Sequence, residues 1–362
     1  MTSNGVPVEI RPFIGAEADE AELRRCHELF VANTQRTFPG FPPQPFASFA
    51  ARMRSERSLQ LGLRSAWVAR EGGSVIGFAT VLYSEHASPD LAVPRAYVDE
   101  AHRRRGIGTA LLREIVADAR ARGRTTLCHE QIRIGSEGEG WVRALGFVDT
   151  QNRSWQMLHV ASVDPALWDV AVPAGFRLVR WADAAPDDLV AAFAKARNAI
   201  ADAPTGDSSY REPEWTVERV REVEARIRAG GDELRFVVAV HQDTGDVAAL
   251  TGLRLDPRRV DLCWQRDTAV VGGHRGRGLG RAVKAAMMRW LVADIPELGR
   301  VITNTAAENA YMIRVNEQIG YVHYADIGVF EASVEQVDAA LEMPAAIPGP
   351  RRESASEEEP VG

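Results

Sequence analysis

Lysine is almost missing from this chain: Lys195 and Lys284 are the only two among 43 cationic residues, and arginine supplies the rest. With its heavy alanine use, that bias points to a high-GC genome such as an actinobacterial one, and carries no functional argument. Cysteine is scarce as well. Cys26, Cys128 and Cys263 are odd in number and far apart, which argues against a disulfide framework or a metal-ligand cluster, and no metal is expected. No apolar run approaches the roughly 20 residues that a membrane-spanning helix needs, so no membrane partner is expected. Residues 1–10 lack the basic-then-apolar order of a secretory signal, and a cytoplasmic protein is the simplest expectation. Excess positive charge is absent too. The net balance is −7, whereas nucleic-acid binding needs clustered surplus cations.

What the chain does have is length and an internal repeat. Its 362 residues exceed one ordinary domain, and 45% hydrophobic content suits well-packed globular units. Ala96-Tyr97-Val98 leads into Arg103-Arg104-Arg105-Gly106-Ile107-Gly108 and a helical run over 109–122. Ala269-Val270-Val271 leads likewise into Arg275-Gly276-Arg277-Gly278-Leu279-Gly280 and a helical run over 281–293. Arg275 follows Arg103 by 172 residues, and Gly320 in Ile319-Gly320-Tyr321 follows Gly146 in Leu145-Gly146-Phe147 by 174. A duplication with small insertions explains both spacings. Each copy opens on an alternating strand, 8–11 and 176–180, followed by an acidic, alanine-rich helical stretch. Strands at 66–69 and 236–240 then turn back, through glycine-containing turns, into hairpin partners at 75–82 and 247–255. The expected units are 1–165 and 174–335, with the boundary near 164–174 and a disordered Pro/Ser/Glu tail over 344–362.

An Arg-x-x-Gly-x-Gly loop between a strand and a helix has a definite physical use. Glycine permits positive φ and close backbone approach. The following helix offers unsatisfied N–H groups and its positive dipole end at the same place. Together they form a cradle for a pyrophosphate. The bland rival, a surface turn before a helix, weakens when the same loop recurs in the same strand–helix context. A nucleotide P-loop fails because neither loop ends Gly-Lys-Ser/Thr, and the Gly-x-Gly-x-x-Gly dinucleotide fingerprint is absent from both. In the second copy Val283, Ala286, Met287, Trp290 and Leu291 give the helix one apolar face; Ala110, Leu111, Ile115, Val116 and Ala119 act similarly in the first.

These residues resemble the GNAT acetyltransferases, whose signature is Arg/Gln-x-x-Gly-x-Gly/Ala after a strand, with Leu-Gly-Phe/Tyr further on. The resemblance covers residues 8–332, twice over; the second half looks particularly like the C-terminal half of two-domain actinobacterial members such as mycothiol synthase, with 302–321 the most specific stretch. It implies an α/β (α+β) class: two tandem GNAT folds, each a mixed, mostly antiparallel twisted sheet flanked by helices. It also implies acetyl-CoA as acyl donor. The pyrophosphate would lie on Arg103, Arg104, Arg105, Gly106, Ile107, Gly108 and Thr109, and on Arg275, Gly276, Arg277, Gly278, Leu279, Gly280 and Arg281. Val98, Val270 and Val271 would sit on the splayed strands, where a freed N–H, that of Val270 in the second copy, polarises the thioester carbonyl. Asn309 matches the family asparagine that contacts the pantetheine arm. The implied reaction is direct attack by a primary amine of a small molecule on the thioester. The chain would be a monomer of two fused domains or a homodimer.

The copies depart from the family unequally. The family's acidic tyrosine falls on Asn316 in the second copy and Val142 in the first, and the asparagine position falls on Gly135 in the first. The C-terminal copy is therefore expected to be catalytic. A thiolate of pKa about 8.5 leaves without a strong acid, but an amine of pKa about 10 needs a base. Asp267, on the same strand as Val270, is the leading candidate, with a solvated carboxylate as the alternative. Tyr311 and Tyr321 are candidate acids, Tyr321 being better suited to packing. Asp202, Asp207 and Glu212 form an acidic lip suited to a cationic amine, or simply self-capping turns. Asn304 is a further candidate substrate contact. A thiol nucleophile at Cys128-His129 is disfavoured, since a strand cysteine usually packs in a core. The arginine run 103–105 belongs to the phosphate loop rather than to nucleic-acid binding. The reading from a different class is a non-catalytic acyl-CoA sensor built from a decayed pair.

Overall fold

The structure, a computed structural model, describes residues 7–58, 62–85 and 87–342. The tail expected over 344–362 lies outside them. The N-terminal half runs β1 (Glu9–Pro12), α1 (Glu20–Thr37), α2 (Phe46–Arg54), β2 (Arg64–Glu71), β3 (Ser74–Tyr83), β4 (Leu91–Val98), α3 (Ile107–Ala121), β5 (Thr126–Arg133), α4 (Glu137–Ala144) and β6 (Val148–His159). The C-terminal half repeats that order: β7 (Phe176–Ala182), α5 (Val190–Arg197), α6 (Val217–Ala229), β8 (Glu233–His241), β9 (Val247–Leu255), β10 (Leu262–Val270), α7 (Leu279–Asp294), β11 (Arg300–Ala306), α8 (Ala310–Glu317) and β12 (Val322–Ser333), closing with α9 (Val334–Glu342).

The twelve strands form one sheet in the order β1-β2-β3-β4-β5-β12-β6-β11-β10-β9-β8-β7. Each half thus hands its last strand to the other. β12 pairs antiparallel with both β5 and β6, and β6 also pairs antiparallel with β11. The exchange covers the edges that β5 and β11 would otherwise leave open. Chain after each exchanged strand follows it across. α9 packs Val334, Val337 and Leu341 into the core beneath α3. After β6, Trp168 enters the core of α7, and its Nε1 donates to the Ile319 carbonyl at 2.9 Å.

Alternation along the strands sorts the cores onto two faces. α3 and α7 cover one face with Leu111 and Ile115 in one half and Val283, Met287 and Leu291 in the other. α1 and α2 cover the opposite face in the N-terminal half, α5 and α6 in the C-terminal half. On that second face an aromatic cluster joins the halves: Phe38 stacks on Trp155 at 4.9 Å, and Trp155 meets Trp264 edge-on at 5.3 Å. The loop at 203–215 crosses the other way. Its Ser208 Oγ donates to Glu331 on β12 at 2.7 Å, the Ser209 N–H donates to the same carboxylate at 2.9 and 3.0 Å, and the Arg211 N–H donates to Ser88 Oγ at 2.8 Å.

Candidate active site

Both halves open the sheet at the same place. β4 pairs in parallel with β5 only at Leu91–Thr126 and Ala92–Leu127. β10 pairs with β11 only at Leu262–Arg300, Cys263–Val301 and Trp264–Ile302. Beyond those residues the strands splay. The Asp99 N–H donates to Ile76 and the Val271 N–H to Ala248, both at 2.9 Å, so both are committed to the neighbouring strand. Alternation then turns the N–H and C=O of Val98 and Val270 toward the gap. Each carbonyl accepts from the first arginine of its loop, Arg103 Nε to Val98 and Arg275 Nε to Val270, both at 3.2 Å. The N–H group of each valine faces the opening.

A short turn, Glu100–His102 or Gly272–His274, leads from each splayed strand to its helix. Gly106 and Gly278 cap α3 and α7 in the left-handed region, at φ 79° and 80°, with no side-chain cap bond. The other long helices differ: Asp19 caps α1 and Thr216 caps α6 through a side-chain oxygen. A Cβ built on Gly106 or Gly278 meets nothing within 4 Å, so the space before each helix is open. Open space, positive φ and the uncapped N–H groups of each helix's first turn fit a bound pyrophosphate.

The loop side chains are used differently from the sequence expectation. Arg103 also reaches Asn33 Oδ1 at 3.0 Å and Glu137 at 3.3 Å, so it braces the loop against α1 and α4. Arg275 holds Asp202 at 2.6 Å, which ties that exposed acid to the loop. Arg105 pairs with Glu71, while Arg104 and Arg277 are exposed. Ile107 and Leu279 are buried anchors of their helices, followed by Thr109 and Arg281 in the first turns. Asp207 is exposed and its N–H donates to Thr150 at 2.8 Å. Asn304 is exposed on β11, opposite Trp155. Asn309 Oδ1 caps α8 by accepting from the Met312 N–H at 3.1 Å. Tyr321 is buried, and its hydroxyl donates to Gln265 Oε1 at 2.7 Å; burial pushes it well above its ordinary value. Tyr311 is 53% exposed. Burial likewise raises the Cys128 thiol.

The titratable groups beside β10 form a coupled set. Arg197, buried on α5, donates to Asp267 Oδ2 at 2.5 Å. Although burial pulls the Asp267 carboxyl upward, Arg197 and Arg266 hold it below the ordinary carboxylate range. That makes Asp267 a fixed anion and a weak base. Glu212, on the crossing loop, is half-buried without a salt-bridge partner among the described residues. Burial, helped by the Asp267 charge, pushes it to about 7. Sequence reasoning placed Glu212 on an acidic lip and missed this environment, which no local spacing announces.

A second cluster lies on the α7 face of β10. Buried Lys284 donates to Gln265 Oε1; Gln265 Nε2 donates to Thr251 Oγ1 at 2.7 Å, which shares a hydrogen with Thr268 Oγ1 at 2.8 Å. Gln265 and Thr268 bracket a bulge in the pairing of β10 with β9. Asn316, fully buried, donates to Gln156 at 2.8 Å and so is a core residue. The register assigns the N-terminal counterparts: Pro94 for Gln265, Ala79 for Thr251 and Ala96 for Thr268. Helix alignment adds Leu112 for Lys284, and the Leu-Gly-aromatic segment adds Phe147 for Tyr321. Arg95 stands alone where the bulge places Arg266 and Asp267.

A family model described as Acetyltransferase (GNAT) family matches residues 24–132 and 199–321. N-alpha-acetyltransferase RimI of Mycobacterium tuberculosis (strain ATCC 25618 / H37Rv) is 33% identical over 121 residues, which are 33% of this chain and 67% of that protein. The solved structure of a tandem GNAT protein from the clavulanic acid biosynthesis pathway superposes with a TM-score of 0.74 at 26% identity, covering 91% of this chain and 99% of that one. A GCN5-related N-acetyltransferase from Sphaerobacter thermophilus, at 17% identity, shares the fold with a TM-score of 0.67 over 91% and 97% of the two chains.

Proposed function

The chain belongs to the GNAT acetyltransferase family, and on that premise we propose that it moves an acetyl group from acetyl-CoA to a primary amine of a small molecule. Transfer takes place in the C-terminal half by direct attack. The carrying observation is the junction of splayed β10 with the uncapped start of α7, which sets the Val270 N–H beside a cradle for a pyrophosphate. Bound acetyl-CoA supplies an activated thioester carbonyl. Gly278, Leu279 and Gly280 hold its phosphates through backbone N–H groups, and the Val270 N–H donates to the thioester oxygen. Glu212 takes a proton from the bound ammonium, which frees the amine lone pair to attack the thioester carbon and expel the CoA thiolate; a base of pKa about 7 suits neutral pH. Asp267 serves it indirectly: clamped by Arg197, it stays ionised and keeps Glu212 from turning into a weak, fully ionised base.

The N-terminal half keeps the cradle, with Arg95 where the other half has Asp267. With an arginine but no carboxylate at that position, this half has no base there to take the proton of an ammonium, and it binds acyl-CoA without turnover. The test is release of free CoA from acetyl-CoA in the presence of an amine panel. Release with at least one amine, lost in Gly278→Glu, supports the reading. Binding of CoA with no release on any amine assigns the protein instead to acyl-CoA sensing.

A further inference from the structure

The face of the sheet that carries Glu212 and Asp267 is richer in arginine than its own carboxylates can neutralise. Arg95 on β4 alternates with Ala96, which packs toward α3, and so faces α1 and α2 together with Tyr97. Arg254 on β9 alternates with Leu253 and Leu255, which pack toward α7, and so lies on that same second face. Arg52 on α2 is within electrostatic range of Arg95, Arg64 and Arg254, and Arg254 is within range of Arg266. Arg266 and Arg153 both act on Glu212. One row of guanidinium groups therefore runs between the halves, past both splayed strands.

Most of the row has no anion of its own. Arg254 is paired with Asp232 at 3.1 Å. Arg52 instead lies over the rings of Phe30 and Phe49, at 4.9 and 5.4 Å, and Arg153 donates to the neutral Gln151 at 2.7 Å. Arg95 and Arg266 have no hydrogen-bond or salt-bridge partner among the described residues, though both are half-buried. Asp267 is committed to Arg197, which leaves Glu130, Glu212 and Glu331 as nearby acids without a salt bridge among the described residues, and Glu331 is bound by Ser208 and Ser209. Arg52 and Arg95, within range of each other and without a carboxylate partner, repel one another, and a ligand anion relieves that repulsion. Burial, opposed by Tyr97 and helped by Arg95, Arg64 and Arg254, brings the Arg52 guanidinium down to about 10. The same arginine position is filled in both halves, Arg95 and Arg266, at the point where each strand leaves its partner.

We infer that the acceptor amine also carries carboxylate groups, held by Arg266, Arg95 and Arg52 so that its amine reaches Glu212. This deepens the acetyltransferase reading and rests on it for the amine, but not for the anion site. It replaces the cationic acceptor suggested by the acidic residues of the 202–212 segment, since Asp202 is bound to Arg275.

The test is isothermal titration of the CoA-saturated protein with three probes of similar length: glutarate, glutaramide and 1,5-diaminopentane. CoA saturation keeps the probes off the phosphate cradles. Glutarate is expected to bind at least about ten-fold more tightly than glutaramide, with no binding of the diamine. The Arg95→Gln/Arg266→Gln double variant should lose that preference, and Arg95→Lys/Arg266→Lys should regain part of it; unchanged CoA affinity certifies both folds. Preference for the diamine, or glutarate binding that survives the double glutamine variant, overturns the inference. The two readings fail separately. Glutarate binding with no acetylation of any amine sinks the transferase reading and leaves the anion site standing. Acetylation of the diamine, without glutarate binding, does the reverse.

Discussion

Leu112 and Lys284 occupy the same turn of equivalent helices, yet one completes an apolar core and the other ends in a buried amine on Gln265. Around them Ala79, Pro94, Ala96 and Phe147 in the N-terminal half become Thr251, Gln265, Thr268 and Tyr321 in the C-terminal half. The backbone is nearly invariant between the halves: the same splay, the same left-handed glycine and the same arginine-to-valine bond at 3.2 Å. A cradle made of backbone needs little from side chains and so survives in both. Chemistry needs side chains, and the C-terminal half differs by one added strand residue. The bulge that accommodates Arg266 and Asp267 against Gly252 is bounded by the hydroxyl and amide groups of the Lys284 cluster. Bulges commonly re-aim a strand beside an active site. The polar cluster beneath this one is a rigid seat for it, where apolar packing suffices under the unbulged β4.

Substitution of Glu212 should separate the halves most sharply. Glu212→Gln is expected to lower kcat by roughly 10²–10⁴-fold, the usual range for a lost general base. CoA affinity should be unchanged, and the rise in wild-type rate through pH about 7, as Glu212 loses its proton, should vanish. A kcat within a few-fold of wild type would remove Glu212 from the mechanism.

Lys284 offers the next test, through stability. Burial brings it down to about 7 in the fold, against about 10.4 when unfolded. Between those values the unfolded chain holds a proton that the folded chain lacks, so stability rises with pH, by an amount on the order of 3–5 kcal/mol. Lys284→Met should flatten that rise in denaturant titrations at pH 7 to 10, making the C-terminal core behave like the one around Leu112. An identical slope in the variant would mean that the amine titrates normally.

Asp267→Asn leaves Arg197 buried without its anion, and removing one partner of such a pair costs about 3–5 kcal/mol. It also removes a charge that raises Glu212, so the acidic limb of the rate profile should move to lower pH. A limb that stays in place would show that Asp267 does not act on the base. The smallest change expected is at the second loop glycine. A Cβ on Gly280 meets Val270 Cγ2 at 3.5 Å, an ordinary contact, and Gly108 has similar room. Gly280→Ala should alter stability by about 1 kcal/mol or less while CoA binding persists; loss of binding would mean that the helix start is packed more tightly.

Much of this is legible in the sequence. The hairpin expected at 75–82 is β3 (Ser74–Tyr83), and the one at 247–255 coincides with β9. The repeated glycine loops likewise point to the two strand–helix junctions, because local backbone needs fix those residues. The exchange of β6 and β12 was not legible. Each ends in a run buried on both faces, which singles out neither half, and the choice between two similar edges depends on contacts far along the chain. The division at 165 and 174 is therefore kept as a proposal about how the chain is built, since the sheet runs across it. Asp267 stood out by its place on the strand, but its clamp by Arg197 comes from the packing of α5. Lys284 did leave a trace: one of only two lysines, it interrupts an apolar helix whose counterpart carries Leu112.

The claim that two equal cradles serve unequal halves is tested most directly by Gly106→Glu and Gly278→Glu, measured side by side for CoA stoichiometry and for CoA release in the presence of an accepted amine. A glutamate at φ near +80° is strained and sets a carboxylate where a phosphate must sit. Each variant should bind one CoA where the wild type binds two, and release should vanish only in Gly278→Glu. Release that survives Gly278→Glu and disappears in Gly106→Glu would contradict the account.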